Sequence, residues 1–321
     1  MSAAPAARAS AGSDGTMRSV LVALAANTVI AAKGIAAAVT GSSALVAETL
    51  HTVADAGNEV FLYIAVRRSE RPPDPSHPLG YAPERYYWAL LAALGMFVIG
   101  GAVSIWEGVN ALLHPPEIVS FWVGVTVLVI ALLLDGGSRV VASRTLGEQA
   151  RRRHTTVREL VRDSPDPTVT TVYLEDTIDV LGAALALLAL VLHQLTGSEL
   201  PDALATLAIG ALLAYTAIRL ASRNRRLLSN QALPDEALER LRGRVGEQPG
   251  VAGVRRLEAV YLGPADVLVA AEVLVEDEMP AHELAAALDS AAERLRADVP
   301  AITRIYLTPV AGDGAAPAPR P

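Results

Sequence analysis

Six apolar runs, at about residues 19–40, 43–66, 86–112, 118–143, 168–192 and 201–222, constrain this 321-residue chain more than any other feature. A run of about 20 apolar residues crosses a bilayer core roughly 30 Å thick as a helix rising 1.5 Å per residue. The third to fifth runs are slightly longer, which allows tilt or extension past the membrane. The expected architecture is therefore an α-helical membrane protein with six transmembrane helices over residues 18–229. Residues 1–17 are rich in Ala, Ser and Gly and are expected to be a disordered tail. The run after them is too long for a signal-peptide core and is expected to be retained.

Charge sets the expected orientation. Arg67, Arg68, Arg71 and Arg85 flank the second connection. Arg139, Arg144, Arg151, Arg152, Arg153, Arg158 and Arg162 flank the fourth, and Arg219, Arg223, Arg225 and Arg226 follow the sixth run. The other connections, "TGSS", "HPPE" and "HQLTGSELPD", hold no Arg or Lys. By the positive-inside rule both termini are cytoplasmic. The net charge of −7 argues against a nucleic-acid partner. Absence of cysteine removes disulfides and thiolate metal ligands. A basic complement that is arginine except for Lys33, with much alanine, suggests a GC-rich bacterial genome, so the expected location is the cell (inner) membrane.

Residues 230–310 read as a soluble domain. "LPDEALERLRGRVGEQPG" is an amphipathic helix opened by Pro-Asp and closed by Pro-Gly. "VAGVRRLEAVYLG" and "ADVLVAAEVLVED" are β-rich runs around a Gly-Pro turn. "PAHELAAALDSAAERLRADVP" is a second helix and "AITRIYLTPV" a third strand. The order αββαβ predicts a small α+β domain with helices on one face. Residues 311–321 read as a disordered Ala/Pro tail.

The second run, "AETLHTVADAGNEVFLYIA", carries Glu48, His51, Asp55, Asn58 and Glu59. An ionisable group near a bilayer centre costs roughly 2.5–3.5 kcal/mol even on lenient scales, so these residues need a reason. At about 100° per residue they fall on one arc of roughly 100°. His51 and Asp55, four apart, stack on the same face. Imidazole with carboxylate suits Zn²⁺, Co²⁺ or Fe²⁺, whereas Ca²⁺ and Mg²⁺ favour all-oxygen shells. The fifth run supplies a complement, with Glu175, Asp176 and Asp179 also on an arc of roughly 100°. Glu175 fits either the ion site or a hydrated vestibule at the cytoplasmic side.

The remaining polar groups have plainer readings. Lys33 is expected to pair with Asp135 or Glu59 or to pack structurally, or, with Asn27, to assist the site. Asp135 is expected to pair with Arg139. Glu107 reads as structural near the outer interface, and His77 in "DPSHPLGY" as a loop contact. His114, His154 and His193 stand alone at loop edges, and His282 alone makes no metal site in the soluble domain.

Taken with "NTVIAAKG", "TGSSALVAETLHTVADAGNE", "RPPDPSHPLGYAPERYYWAL", "GMFVIGGAVSIWEGVNALLHP", "VRDSPDPTV" and "YLEDTIDVLGA", these patterns resemble the cation diffusion facilitator family, in the branch containing zinc transporter nine. The resemblance runs through residues 27 to 183. It implies a homodimeric secondary transporter that exports divalent metal from the cytoplasm in exchange for protons, with no resident cofactor. It implies two metal ligands from the second span, which here are His51 and Asp55. Gly182, six residues on, aligns the family aspartate of the fifth span with Asp176. The position four before Asp176, usually His or Asp in the family, is Val172, a form the "LED" branch shares. The fourth place is thus left among Glu175, Asp179, Asn58 and water, and Asp179 is an extra acid relative to that branch. The soluble domain resembles the family's ferredoxin-like domain, and with one histidine its expected role is dimerisation.

Zn²⁺ is the expected cargo, with Mn²⁺, Fe²⁺, Co²⁺ or Ni²⁺ as alternatives within the family. Two other classes stand beside it. A non-transporting membrane scaffold or metal sensor gains nothing from buried acids facing one another. A membrane-embedded metalloenzyme would need an open coordination position and a base, and no hydrolase-type motif is present.

Overall fold

The computed structural model describes residues 30–152, 155–275 and 279–310. The expected tails, the start of the first apolar run with Asn27, and His154 lie outside the described residues. In chain order the helices are α1 (Ile30–Thr40), α2 (Ser43–Ser69), α3 (Glu84–Leu113), α4 (Phe121–Arg152), α5 (Val157–Asp163), α6 (Pro167–Thr196) and α7 (Leu200–Leu228). After them come α8 (Asp235–Gly246), β1 (Val251–Gly263), β2 (Asp266–Val275), α9 (Ala281–Asp298) and β3 (Ile302–Val310). The chain divides into two compact units, one taking residues up to Leu62, Leu91–Arg162 and Thr170–Ala221, the other Tyr63–Leu90, Asp163–Val169 and Ser222 onward.

Among the described residues four helices are long and apolar enough to cross a membrane: α3, α4, α6 from Tyr173, and α7. Helix α2, at 27 residues, has the length but carries Glu48, Asp55 and Glu59. Helix α1 is described for only its last 11 residues. Helix α4 outruns its apolar stretch, continuing through "SRTLGEQARR" to Arg152, because most of that segment, the Arg, Leu, Glu, Gln and Ala residues, favours helix and none of it is proline.

The first unit is a helical core of small and branched side chains. Ala36 and Ala37 of α1, Ala44, Leu45 and Ala47 of α2, Leu128 of α4, Ile178, Ala186, Ala189 and Leu190 of α6, and Ala205, Ile209 and Leu213 of α7 form one buried cluster. Large apolar side chains such as Trp106, Trp122, Leu133 and Leu195 are turned outward. Small residues inside and large ones outside is the arrangement of helices that meet closely while facing hydrocarbon.

Helices α3 and α7 approach most tightly. A Cβ at Gly210 would stand 2.8 Å from the Ile105 amide nitrogen, and one at Gly101 would stand 3.1 Å from Ala214 Cα. Only glycine permits that backbone-to-backbone contact. Gly101 lies in a π-helical turn, Met96–Ala102, that interrupts α3.

Where α2 begins, Asp202 of α7 receives hydrogen bonds from the Ser42 hydroxyl (2.5 Å), the Ser43 amide (2.6 Å), the Ser43 hydroxyl (2.6 Å) and the Ala44 amide (3.3 Å). A buried carboxylate thus caps the free amides of α2 from another helix.

In the second unit β1 pairs antiparallel with β2, and β2 pairs parallel with β3, in the order β1-β2-β3. Alternation along β2 buries Val267, Val269, Ala271 and Val273 against Leu241 and Val245 of α8 and Leu295 of α9. The parallel β2–β3 pair is joined through α9, as a parallel crossover requires. All three strands fall where the β-rich runs predict them.

The same unit holds the connection between α2 and α3. Asp74 accepts hydrogen bonds from the Ser76 hydroxyl (2.6 Å), the Tyr81 hydroxyl (2.7 Å) and the His77 amide (2.9 Å). The His77 ring stacks on Tyr81 at 4.1 Å between centroids, and the Arg71 guanidinium lies 4.4 Å over the same Tyr81 ring. His77 is a loop contact, as its sequence setting predicts.

Candidate metal centre

Helical spacing puts the acids of α2 and α6 on one face each, and the core packing turns those two faces together. His51 of α2 is fully buried. Its Nδ1 lies 3.2 Å from Asp55 Oδ2 on the next turn, and its Nε2 lies 3.0 Å from Asp179 Oδ1 on α6. Ligand atoms of His51, Asp55 and Asp179 all fall within 4.8 Å of one another. Among the described residues this is the one group of three or more His, Asp or Glu side chains so close.

The triad is short of donors. Neither His51 ring nitrogen makes a directed hydrogen bond, and Asp55 Oδ1 is buried without one. The ring nitrogens face carboxylate oxygens without good hydrogen-bond alignment, and a buried carboxylate oxygen left unbonded is costly, which suits a place where a cation binds. Imidazole nitrogen with two carboxylate oxygens is a donor set for a borderline divalent cation. Both carboxylates keep partial exposure, 19% for the Asp55 side chain and 22% for Asp179, which leaves a route for an ion.

The other candidates sit around this triad. Glu175 is buried and accepts a hydrogen bond from the Asn58 side-chain amide, so these two link α6 to α2 beside the triad. Asp176 lies outside the triad, with Oδ2 buried and without a hydrogen bond. Asp176 and Asp179 are three positions apart, about 60° of helix rotation, and Asp179 is the one turned onto the imidazole.

Of two ion-pair expectations, Lys33 with Asp135 holds as the longer of two contacts and Asp135 with Arg139 does not form. Lys33 Nζ lies 2.9 Å from Glu48 Oε1, with Asp135 Oδ2 farther off at 3.9 Å, so Glu48 is the principal partner. Arg139 does not turn to Asp135. Its Nε donates to Thr177 Oγ1 at 3.0 Å, and its guanidinium lies 4.4 Å over the Tyr173 ring. Both contacts reach α6, where hydroxyl and ring give the cation a partner on a facing helix. The Lys33–Glu48 pair has a signal in the sequence that charge spacing alone does not resolve: a lone lysine in the run before an acid-bearing one.

Comparison with known proteins adds the lineage. A family model described as the cation efflux transmembrane domain matches residues 20–229. The human protein named proton-coupled zinc antiporter SLC30A9, mitochondrial, is 32% identical over 234 residues, covering 73% of this chain and 41% of that protein. Metal tolerance protein C4 of Arabidopsis thaliana is 30% identical over 238 residues, 74% of this chain and 52% of the relative. Cation-efflux pump FieF of Shigella flexneri is 29% identical over 260 residues, 78% and 79% of the two chains. The match thus spans less than half the length of the mitochondrial relative.

Proposed function

The chain belongs to the cation efflux family, and on that premise we propose that it is a membrane transporter that exports divalent metal ions, Zn²⁺ first among them, from the cytoplasm in exchange for protons. The observation that carries the reading is the buried His51 ring held between the Asp55 and Asp179 carboxylates, with Asp55 Oδ1 buried and without a hydrogen bond. His51, Asp55 and Asp179 are the core ligands, and Asp176 is the fourth, one turn along α6. Glu175 and Asn58 flank them as a hydrogen-bonded pair on the ion's route.

Zn²⁺ reaches the triad from the arginine-bearing side, and its ligands must be deprotonated to hold it, so binding releases protons. Imidazole is the side chain whose ordinary titration lies nearest neutral pH, which suits His51 to trade a proton for a metal ion. Reprotonation from the far side after release then drives the exchange, with the helices rocking about a fixed site. Six spans, cytoplasmic termini and a cell-membrane location follow from the apolar runs and the arginine pattern. The αββαβ domain is ferredoxin-like in this reading and joins two copies into a homodimer.

The test is metal flux into proteoliposomes with a panel of divalent ions and a pH reporter inside. Wild type is expected to move Zn²⁺ with counter-moving protons. Asp55→Ala and Asp179→Ala are each expected to lower Zn²⁺ flux at least about 100-fold, beyond the roughly 10–100-fold that loss of a group merely supporting a ligand costs. Wild-type flux in either variant would overturn the ligand set. The acid-rich face of α6 favours a second reading, in which the cargo is Fe²⁺, Co²⁺, Ni²⁺ or Mn²⁺, and faster flux of one of these than of Zn²⁺ decides for it.

A further inference from the structure

Behind the triad stands a charge that the proposed exchange does not use. Lys33 of α1 is 2% exposed and Glu48 of α2 is fully buried. Lys33 Nζ donates to Glu48 Oε1 at 2.9 Å and to Thr52 Oγ1 at 3.0 Å. The Thr52 hydroxyl in turn donates to the Glu48 carbonyl at 2.9 Å, which fixes it as an acceptor for the ammonium. The second Glu48 oxygen, Oε2, is buried without a hydrogen bond and lies against Gly182 of α6, where a Cβ would stand 2.6 Å away. Glu48 precedes His51 by three residues, so both project from one side of α2. On that side of α2 the Glu48 carboxylate has one oxygen held by the lysine and the other without a hydrogen bond.

We propose that Lys33 is a tethered counter-cation that neutralises Glu48 and holds it out of the metal shell, so that the site presents His51 with aspartates and no additional glutamate. This rests on the reading of the triad as a metal site. A covalently held ammonium cannot leave with the cargo, so it subtracts one negative charge from the surroundings through the whole cycle. The arrangement keeps binding weak enough for release. A transport site with one carboxylate too many would hold a divalent cation and turn over slowly. Lys33 is therefore a positioning residue, acting on the ion through Glu48.

The full chain in detergent, titrated with Zn²⁺ against a chromophoric chelator, and the same chain in proteoliposomes test this. Lys33→Met frees Glu48, and also takes the more distant ammonium from Asp135, 3.9 Å away, and Zn²⁺ is expected to bind about 10-fold more tightly while maximal flux falls. Lys33→Met/Glu48→Gln removes both charges and is expected to return Kd and flux to within about 2-fold of wild type, since replacing both members of a buried pair is far milder than removing one. An unchanged Kd in Lys33→Met, or a double variant that keeps the altered Kd, overturns the proposal. If Lys33→Met does not fold, the double variant decides: folded with wild-type Kd supports the proposal, and a Kd shifted by more than about 3-fold overturns it. Absence of flux for wild type with every ion would remove the transport reading, while the Kd comparison would still judge Lys33.

Discussion

Gly182 has no side chain, and Glu48 occupies the space that one would fill. Gly182→Ala is expected to push the Glu48 carboxylate off Lys33 and to lower stability by about 1–3 kcal/mol, as overpacking a buried site does. Thermal unfolding in detergent measures this. An unchanged melting temperature would mean that Glu48 has room to spare. At the same scale Asp74 offers a pH test outside the membrane helices. Hydrogen bonds from the Ser76 and Tyr81 hydroxyls and the His77 amide hold its carboxyl well below the usual carboxylate range. A depressed folded value means that the stabilisation is complete above the unfolded value of about 3.9 and is lost as pH falls below it. Hydrogen exchange over residues 72–82 is therefore expected to be slow at neutral pH and to quicken, relative to intrinsic rates, only below about pH 4. Asp74→Asn should exchange quickly even at neutral pH.

Between elements, the Asp202 cap ties α7 to the start of α2. Asp202→Ala takes the acceptor from the Ser43 and Ala44 amides and from the Ser42 hydroxyl, while the Ser43 hydroxyl keeps Thr206, and is expected to cost about 2 kcal/mol or more, the upper end for a lost cap. Asp202→Asn should recover part of this, and both are read from melting temperature. None of this was legible beforehand. Asp202 stands in a loop-edge sequence that reads as a helix start, and Ser43 is 159 residues away. The two acid faces, by contrast, could be read from spacing alone, because 100° per residue leaves little freedom once the helix is assumed. Which acid of α6 meets His51 could not. Asp176 and Asp179 share the arc, and the rotation of α6 is set by how Ile178, Ala186 and Leu190 pack in the core. Strands β1 to β3 were legible because their apolar residues alternate and their turns carry glycine and proline.

For the whole molecule, the αββαβ domain buries its own core, so its removal should leave the helical part to be judged alone. Deleting residues 234–310 is expected to lower the dimer fraction on gel filtration in detergent. An unchanged elution position would remove the dimerising role proposed for this domain. Within the helical unit, the close approach of α3 and α7 has a mechanical consequence. Backbones this close at Gly210 and Gly101, with the Leu207 and Ile105 side chains set against Gly108 and Gly210, leave little room for either helix to slide or roll without the other. The pair is braced together. Helices α2 and α6 share the buried apolar cluster as well as their charged contacts, so an ion exchanges for those contacts inside a packed surround. A cation arriving between α2 and α6 thus enters a braced frame, and any rearrangement it drives has to carry α3 and α7 together.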